Sequence, residues 1–234
     1  MEIKDFKNKH KGQIGFIYGG GPSLRFIDIK PLKQYVSIAV NSGLVKAPFS
    51  SYALFDDKGM RWWSYYFYDL PKLDCINFLY KEKLRKKAGH LKKEKIVWFD
   101  HKQDMVLTKK EPIITARTSI ASAVHLAYIM GINPIILLGV DSCYSRDQKR
   151  YFWQYLPQKE QPYRVTGEPV FSSPSQQKIK GRFVDRHCLD FVQYWNRFVE
   201  INKNIIGKKV NIFDCSDGIL DCFPKITVKQ IFKK

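Results

Sequence analysis

Three consecutive glycines, Gly19, Gly20 and Gly21, follow the apolar run IGFIY at 14–18 and precede Pro22 and Ser23. A turn without Cβ atoms can take positive φ and lets the backbone approach something outside it. Pro22 suits the first position of a short helix, and Ser23 can cap it. A strand, a glycine turn and outward N–H groups at a helix start make an anion site, first of all for phosphate. The turn has neither the Lys-Ser/Thr ending of a P-loop nor a full GxGxxG. Other chemistry-bearing residues also stand where apolar runs stop: Asn41 and Ser42, Asp56 and Asp57, Thr118 and Ser119, and Asp141. Asp56 and Asp57 read either as a turn start or as a carboxylate pair, since magnesium needs only one or two carboxylates plus substrate phosphates. A metal-independent site is the expectation.

His187 is the candidate base. It sits in VDRHCLD, a polar context at the start of a helical pattern. Imidazole titrates near neutral pH and can take a proton from an attacking hydroxyl. Asp141, Asp185 and Asp190 are substitutes on the same acid–base logic. His125 lies in a buried helical pattern and reads as a satisfied core residue. His10, His90 and His101 lie among lysines and read as solvated.

The elements that must position these groups alternate. Strands are expected at 14–18, 35–40, 51–55, 75–80, 96–99, 134–139 and 209–213. Several are continuous apolar runs, as in a parallel sheet buried on both faces. Helices are expected within 113–131, capped by Thr118 or Ser119 and closing at Gly131, and over 184–204, where Leu189, Val192, Trp195 and Phe198 fall at helical spacing. The pattern predicts an α/β, Rossmann-like domain spanning 1–234, with a mostly parallel sheet and helices on both faces. Ligands in such sheets bind at the carboxyl ends of the strands. The aromatic run MRWWSYYFY at 60–68 reads as a helix packed on the sheet. The basic segment 81–95 reads as a solvated loop or helix end suited to phosphate contacts, and 143–186 reads as a lid.

Charge is the unusual bulk property. Lys plus Arg number 40 against 22 Asp plus Glu, a net +18. Such an excess suits a polyanionic partner: nucleic acid, an anionic membrane face or an acidic polysaccharide. The five cysteines are scattered, with no C-x-x-C pair, which argues against a zinc site or a disulfide framework. No apolar run approaches the roughly 20 residues of a membrane-spanning helix. The polar start is no signal peptide, so a cytoplasmic location is expected.

Taken in order, GGGPSL, Asn41-Ser42, Asp56-Asp57, Thr118-Ser119 and GINPIILLGVD resemble the bacterial sialyltransferases of glycosyltransferase family 42. They also resemble a wider group with the motility-associated glycosyltransferases and the 6-hydroxymethylpterin pyrophosphokinases. The resemblance covers 14–60 and 113–220. It implies a nucleotide-sugar donor, CMP-linked, bound without a metal. It places Gly19, Gly20 and Gly21 beside the nucleotide, with Gly20 where those enzymes carry an Asn. It implies that Asn41 contacts nucleotide or sugar, and that Asp56 replaces an Asn near the base or sugar. Thr118 and Ser119 would hold ribose, sugar or phosphate oxygens, Tyr144 would steady the leaving phosphate, and His187 would be the catalytic His.

With the charge, the expected function is an inverting glycosyltransferase acting on a polyanionic acceptor, foremost a hydroxymethylated base in DNA, as in viral DNA modification. The alternatives are a transferase for a lipid-linked or surface glycan at a membrane face, a magnesium-dependent diphosphotransferase, and a non-catalytic nucleic-acid-binding module.

Overall fold

The computed structural model describes residues 1–56, 73–86, 88–114, 118–157, 161 and 177–232. Asp57, the aromatic run at 60–68 and the stretch 162–176 of the expected lid lie outside the described residues.

Seven strands form one parallel sheet: β1 (Gly15–Tyr18), β2 (Val36–Val40), β3 (Tyr52–Phe55), β4 (Ile76–Tyr80), β5 (Ile96–Phe99), β8 (Ile135–Leu138) and β11 (Ile212–Asp214). Their order is β11-β8-β1-β2-β3-β4-β5. Gly15 pairs with Val36 on one side and Ile135 on the other, so β1 is central. Two short two-stranded pairs lie outside it, β6 (His101–Lys102) with β7 (Ile113–Ile114), and β9 (Lys178–Ile179) with β10 (Arg182–Phe183). Every residue of β1, β2, β3 and β8 is buried, as continuous apolar runs require when both faces are covered. The expected α/β, Rossmann-like architecture is the one observed.

The two long helices lie on one face. One runs over Ser119–Met130 and the other over Arg186–Ile201. Thr118 accepts the N–H of Ile120 at the start of the first, and Gly131 ends it at φ +79°. Asp185 caps the second by accepting the N–H of Cys188 at 2.7 Å. Numbered with the shorter ones in chain order, the helices are α1 (Gly43–Lys46), α2 (Lys81–Leu84), α3 (Ser119–Met130), α4 (Arg186–Ile201) and α5 (Val228–Ile231). Ala121, Val124, Trp195 and Phe198 pack with Ile17, Ile38 and Leu137 in the main core. The opposite face is covered by short pieces, the 3-10 turns Pro22–Phe26, Lys30–Gln34 and Phe152–Tyr155 together with α1 and α2.

Three local expectations change. The basic segment 81–95 is the crossover from β4 to β5, and Leu84, Ala88 and Leu91 anchor it in the core. Lys81, Lys86, Lys92 and Lys93 are exposed on an anchored element. The front of the expected lid is anchored, with Phe152 and Trp153 buried beside Tyr18, Leu24 and Leu138. His10 is not simply solvated, as its Nε2 meets the Tyr52 hydroxyl at 2.6 Å.

His125 is the satisfied core residue its pattern suggested. Nδ1 accepts from the Ile114 N–H at 3.1 Å, and Nε2 donates to the Thr108 carbonyl at 2.8 Å. Burial pushes this histidine down to about 4, so it stays neutral at physiological pH.

Candidate active site

The strand order reverses between β1 and β8, where ligands of open α/β sheets bind. A cleft of about 390 Å³ opens there. Its walls come from the turn after β1 (Gly20, Gly21), the end of β2 (Asn41, Ser42), the start of α3 (Thr118, Ser119), the turn after β8 (Gly139 to Cys143), the segment with Arg150 and Tyr151, and the start of α4 (His187). Eight residues singled out in the sequence line it: Gly20, Gly21, Asn41, Ser42, Thr118, Ser119, Asp141 and His187.

Gly19, Ser23, Asp56 and Tyr144 stand behind the wall. Tyr144 is only 1% exposed, and its hydroxyl donates to Asp185 Oδ2 at 2.8 Å. It positions the helix cap, and the neighbouring Arg150 and Tyr151 reach the cleft. Asp56 is 7% exposed and backs Asn41 and Ser119.

The glycines act differently from the expectation. None of the three falls among the positive-φ residues. A Cβ on Gly19 would meet the Gly139 carbonyl oxygen, and one on Gly21 would meet the Asp141 carboxylate, both far inside van der Waals contact. These two glycines let the β1 and β8 turns touch, with Gly21 N–H donating to the Gly139 carbonyl at 2.8 Å. Gly20 alone faces the cleft with some room, its added Cβ lying 3.0 Å from Ser42 Oγ and 3.4 Å from the Tyr151 ring. Gly19→Ala is therefore expected to lower Tm by several degrees, whereas Gly20→Ala keeps the fold because Ser42 can rotate. Thermal melts of the two variants side by side check this, and equal losses would contradict it.

The anion site expected at the helix start already holds a carboxylate of the chain itself. Asp141 Oδ2 accepts the Ser23 N–H at 3.1 Å. Burial raises the Asp141 carboxyl to about 6. Pinned in this way, Asp141 holds the two turns together at the floor of the cleft.

His187 lies in the first turn of α4, its ring 4.3 Å from that of Phe191. Burial lowers its pKa, and the nearby Arg150 charge lowers it further, against a smaller opposing pull from Asp185 and Asp190. The positive end of the helix dipole acts in the same sense as Arg150. The lowered pKa favours the neutral imidazole, the form that accepts a proton. Asp185 is a poor substitute. Burial works against its ionised form, yet hydrogen bonds from Cys188 and Tyr144 and the Arg150 charge hold its carboxyl below the usual range.

Arg150 is the functional residue that sequence reasoning missed. Its guanidinium lies 3.7 Å from Asp185 and over the rings of Tyr144 and Tyr151, at 5.7 and 5.8 Å. Its side chain is 21% exposed. It puts a fixed cation beside hydroxyl, amide and imidazole groups.

His101 is a second revision. It is half-buried, stacked on Tyr80 at 4.1 Å, with Nε2 at 3.8 Å from Asp56 Oδ2. Asn41 and Ser142, both on the cleft wall, have φ of +48° and +51°. Such backbone outliers cluster at ligand sites. Among the described residues, no group of three or more His, Cys, Asp or Glu could hold a metal ion. Among them, too, no helix is long and apolar enough to cross a membrane.

No protein-family model matches the chain, and no curated protein matches its sequence. A solved structure shares its fold. The MAf glycosyltransferase from Magnetospirillum magneticum AMB-1 aligns over 99% of this chain with a TM-score of 0.57 and 11% identity. The chain spans 38% of the length of that enzyme. The sialyltransferase CstII from Campylobacter jejuni, solved with the substrate analogue CMP-3FNeuAc, aligns over 92% of this chain and 86% of its own, with a TM-score of 0.45 and 10% identity. At 11% identity the likeness to the MAf glycosyltransferase is one of fold alone.

Proposed function

We propose that this chain is a glycosyltransferase that takes a sugar from a nucleotide-activated donor and passes it, with inversion, to an acceptor hydroxyl. The observation that carries this reading is His187, with its lowered pKa, and the fixed Arg150 in one cleft at the β1/β8 switch point. His187 takes the proton of the acceptor hydroxyl. The freed oxygen attacks the anomeric carbon from the face opposite the phosphate. The bond from that carbon to the phosphate oxygen breaks, and its electron pair leaves with the phosphate. Arg150 offsets the charge that develops there, which is where fixed electrostatics contribute most. The resemblance in sequence implies CMP as the nucleotide and no metal.

The acceptor in this reading is a polyanion. Arg25, Lys30, Lys33 and Lys46 line a shallow depression beside Phe26, which is 73% exposed. Arg25 stacks on Tyr155 at 4.1 Å, one short turn from Tyr151 in the cleft. Hydroxymethylated DNA should bind here with steep salt dependence. One observation favours a membrane-face glycan instead, since the exposed Phe26 and Phe232 line a neighbouring groove with Lys225 and Lys229. Shift assays with hydroxymethylated duplex, run against co-sedimentation with anionic vesicles, separate the two.

Thermal shift with CMP, UDP, GDP and ATP, with magnesium or EDTA, tests the core of the proposal. A ligand at 100 times its Kd adds about 2.7 kcal/mol to apparent stability. Stabilisation by a nucleoside mono- or diphosphate in EDTA supports the metal-free transferase. Stabilisation by ATP with magnesium alone points to the diphosphotransferase.

A further inference from the structure

We infer that the Asn41–Ser119–Asp56 end of the cleft reads a hydrogen-bond donor on the sugar, so that the activated sugar is a neutral, hydroxyl-bearing one and not a carboxylate-bearing one. This rests on the sugar-transfer reading above.

The three side chains form a directional chain. Asn41 Nδ2 donates to Ser119 Oγ at 3.1 Å and, more weakly, to Asp56 Oδ1 at 3.5 Å. The Ser119 hydroxyl donates in turn to Asp56 Oδ1 in a short hydrogen bond. A carboxylate accepts only, a hydroxyl has one proton, and an amide nitrogen has two. Every donor of the trio is therefore spent within it. Asp56 also sets the amide orientation, because a flipped Asn41 would turn its oxygen toward two acceptors. The remaining capacity is acceptor capacity. Asn41 Oδ1 is buried with no hydrogen-bond partner, beside the cleft that its residue lines.

A sugar hydroxyl satisfies such a wall. A carboxylate, itself acceptor-only, has no proton to give Asn41 Oδ1. The other end of the cleft has complementary features. Arg150 offers the cation that a phosphate needs, and Tyr151 and Phe191 offer rings for a base. That leaves the polar end for the sugar. An Asn at position 56, as in the enzymes the sequence resembles, would bring donors of its own and let the chain reverse. Asp56 is thus a positioning residue that sets specificity through Asn41 and Ser119.

The test uses matched donors. UDP-glucose and UDP-glucuronate differ only in a hydroxymethyl against a carboxylate, and CMP-N-acetylneuraminate supplies the carboxylate sugar on the other base. Titration calorimetry of the wild-type chain, Asp56→Asn and Ser119→Ala gives the affinities, with CMP and UDP alone as references. The wild type should bind UDP-glucose at least tenfold more tightly than UDP-glucuronate and gain nothing from the sugar of CMP-N-acetylneuraminate over CMP. Asp56→Asn should shrink that preference, with the carboxylate donors gaining. Ser119→Ala reports on the same chain if Asp56→Asn does not fold. Tighter wild-type binding of a carboxylate donor, or a preference that neither variant moves, overturns the inference and leaves the transferase reading standing. Absence of binding by every nucleotide and nucleotide sugar overturns both.

Discussion

Replacing His187 with alanine is expected to lower kcat by about 10²- to 10⁴-fold, the usual worth of a positioned general base. Nucleotide affinity should stay within a few-fold, because the phosphate and the base contact other walls of the cleft. The pH profile gives an independent signature. A base works when deprotonated, and the folded pKa of His187 lies below its ordinary value because burial and Arg150 both disfavour the imidazolium. The wild-type kcat/KM should therefore be flat through neutrality and fall only as pH drops below about 6.5, the ordinary histidine value. His187→Ala should lose this acid limb together with the rate. Initial rates from pH 5 to 8 for both proteins, with nucleotide release as the readout, check this. Retention of more than a tenth of kcat at pH 7 with the limb intact would move the base to another residue. Asp190 would then be the next candidate, since Asp185 is committed to Cys188, Tyr144 and Arg150.

Much of this arrangement was legible before the structure. The strands were readable because each is an unbroken apolar run bounded by polar, turn-prone residues, as at 36–40 before Asn41 and 52–55 before Asp56. The long helices were readable, α3 from its Thr118 or Ser119 cap and Gly131, and α4 from apolar residues at helical spacing. What the sequence hides is adjacency. Nothing local says that β8 inserts beside β1, so nothing says that Gly19 must make way for Gly139 and Gly21 for Asp141. The same blindness hid His101, whose lysine neighbours suggest solvent while Tyr80 and Asp56 enclose it from distant strands. Arg150 was hidden by abundance. In a chain with 40 Lys and Arg, one more cation carries no signal until its burial is known.

Arg150→Gln carries the second large expected effect. A hydrogen bond to a charged group contributes about 1.5–3 kcal/mol, so nucleotide affinity should fall by roughly 10- to 100-fold. The loss in kcat should be larger than the loss in binding, because negative charge on the leaving phosphate grows toward the transition state. Removing one preorganised donor at such a point typically costs about 10²–10³ in kcat. Arg150→Lys should recover the binding better than the rate, since an ammonium restores the charge without the planar fork. The substitution must also reach His187. With the guanidinium gone, one of the two influences lowering the imidazole pKa disappears, while Asp185 and Asp190 still raise it. The acid limb of kcat/KM should therefore move to higher pH in Arg150→Gln and stay near its wild-type position in Arg150→Lys. A structural role alone would lower activity without moving the limb. Steady-state profiles of the three proteins, with kcat and KM separated at each pH, distinguish the two cases. An unshifted limb with unchanged nucleotide affinity would remove Arg150 from the site.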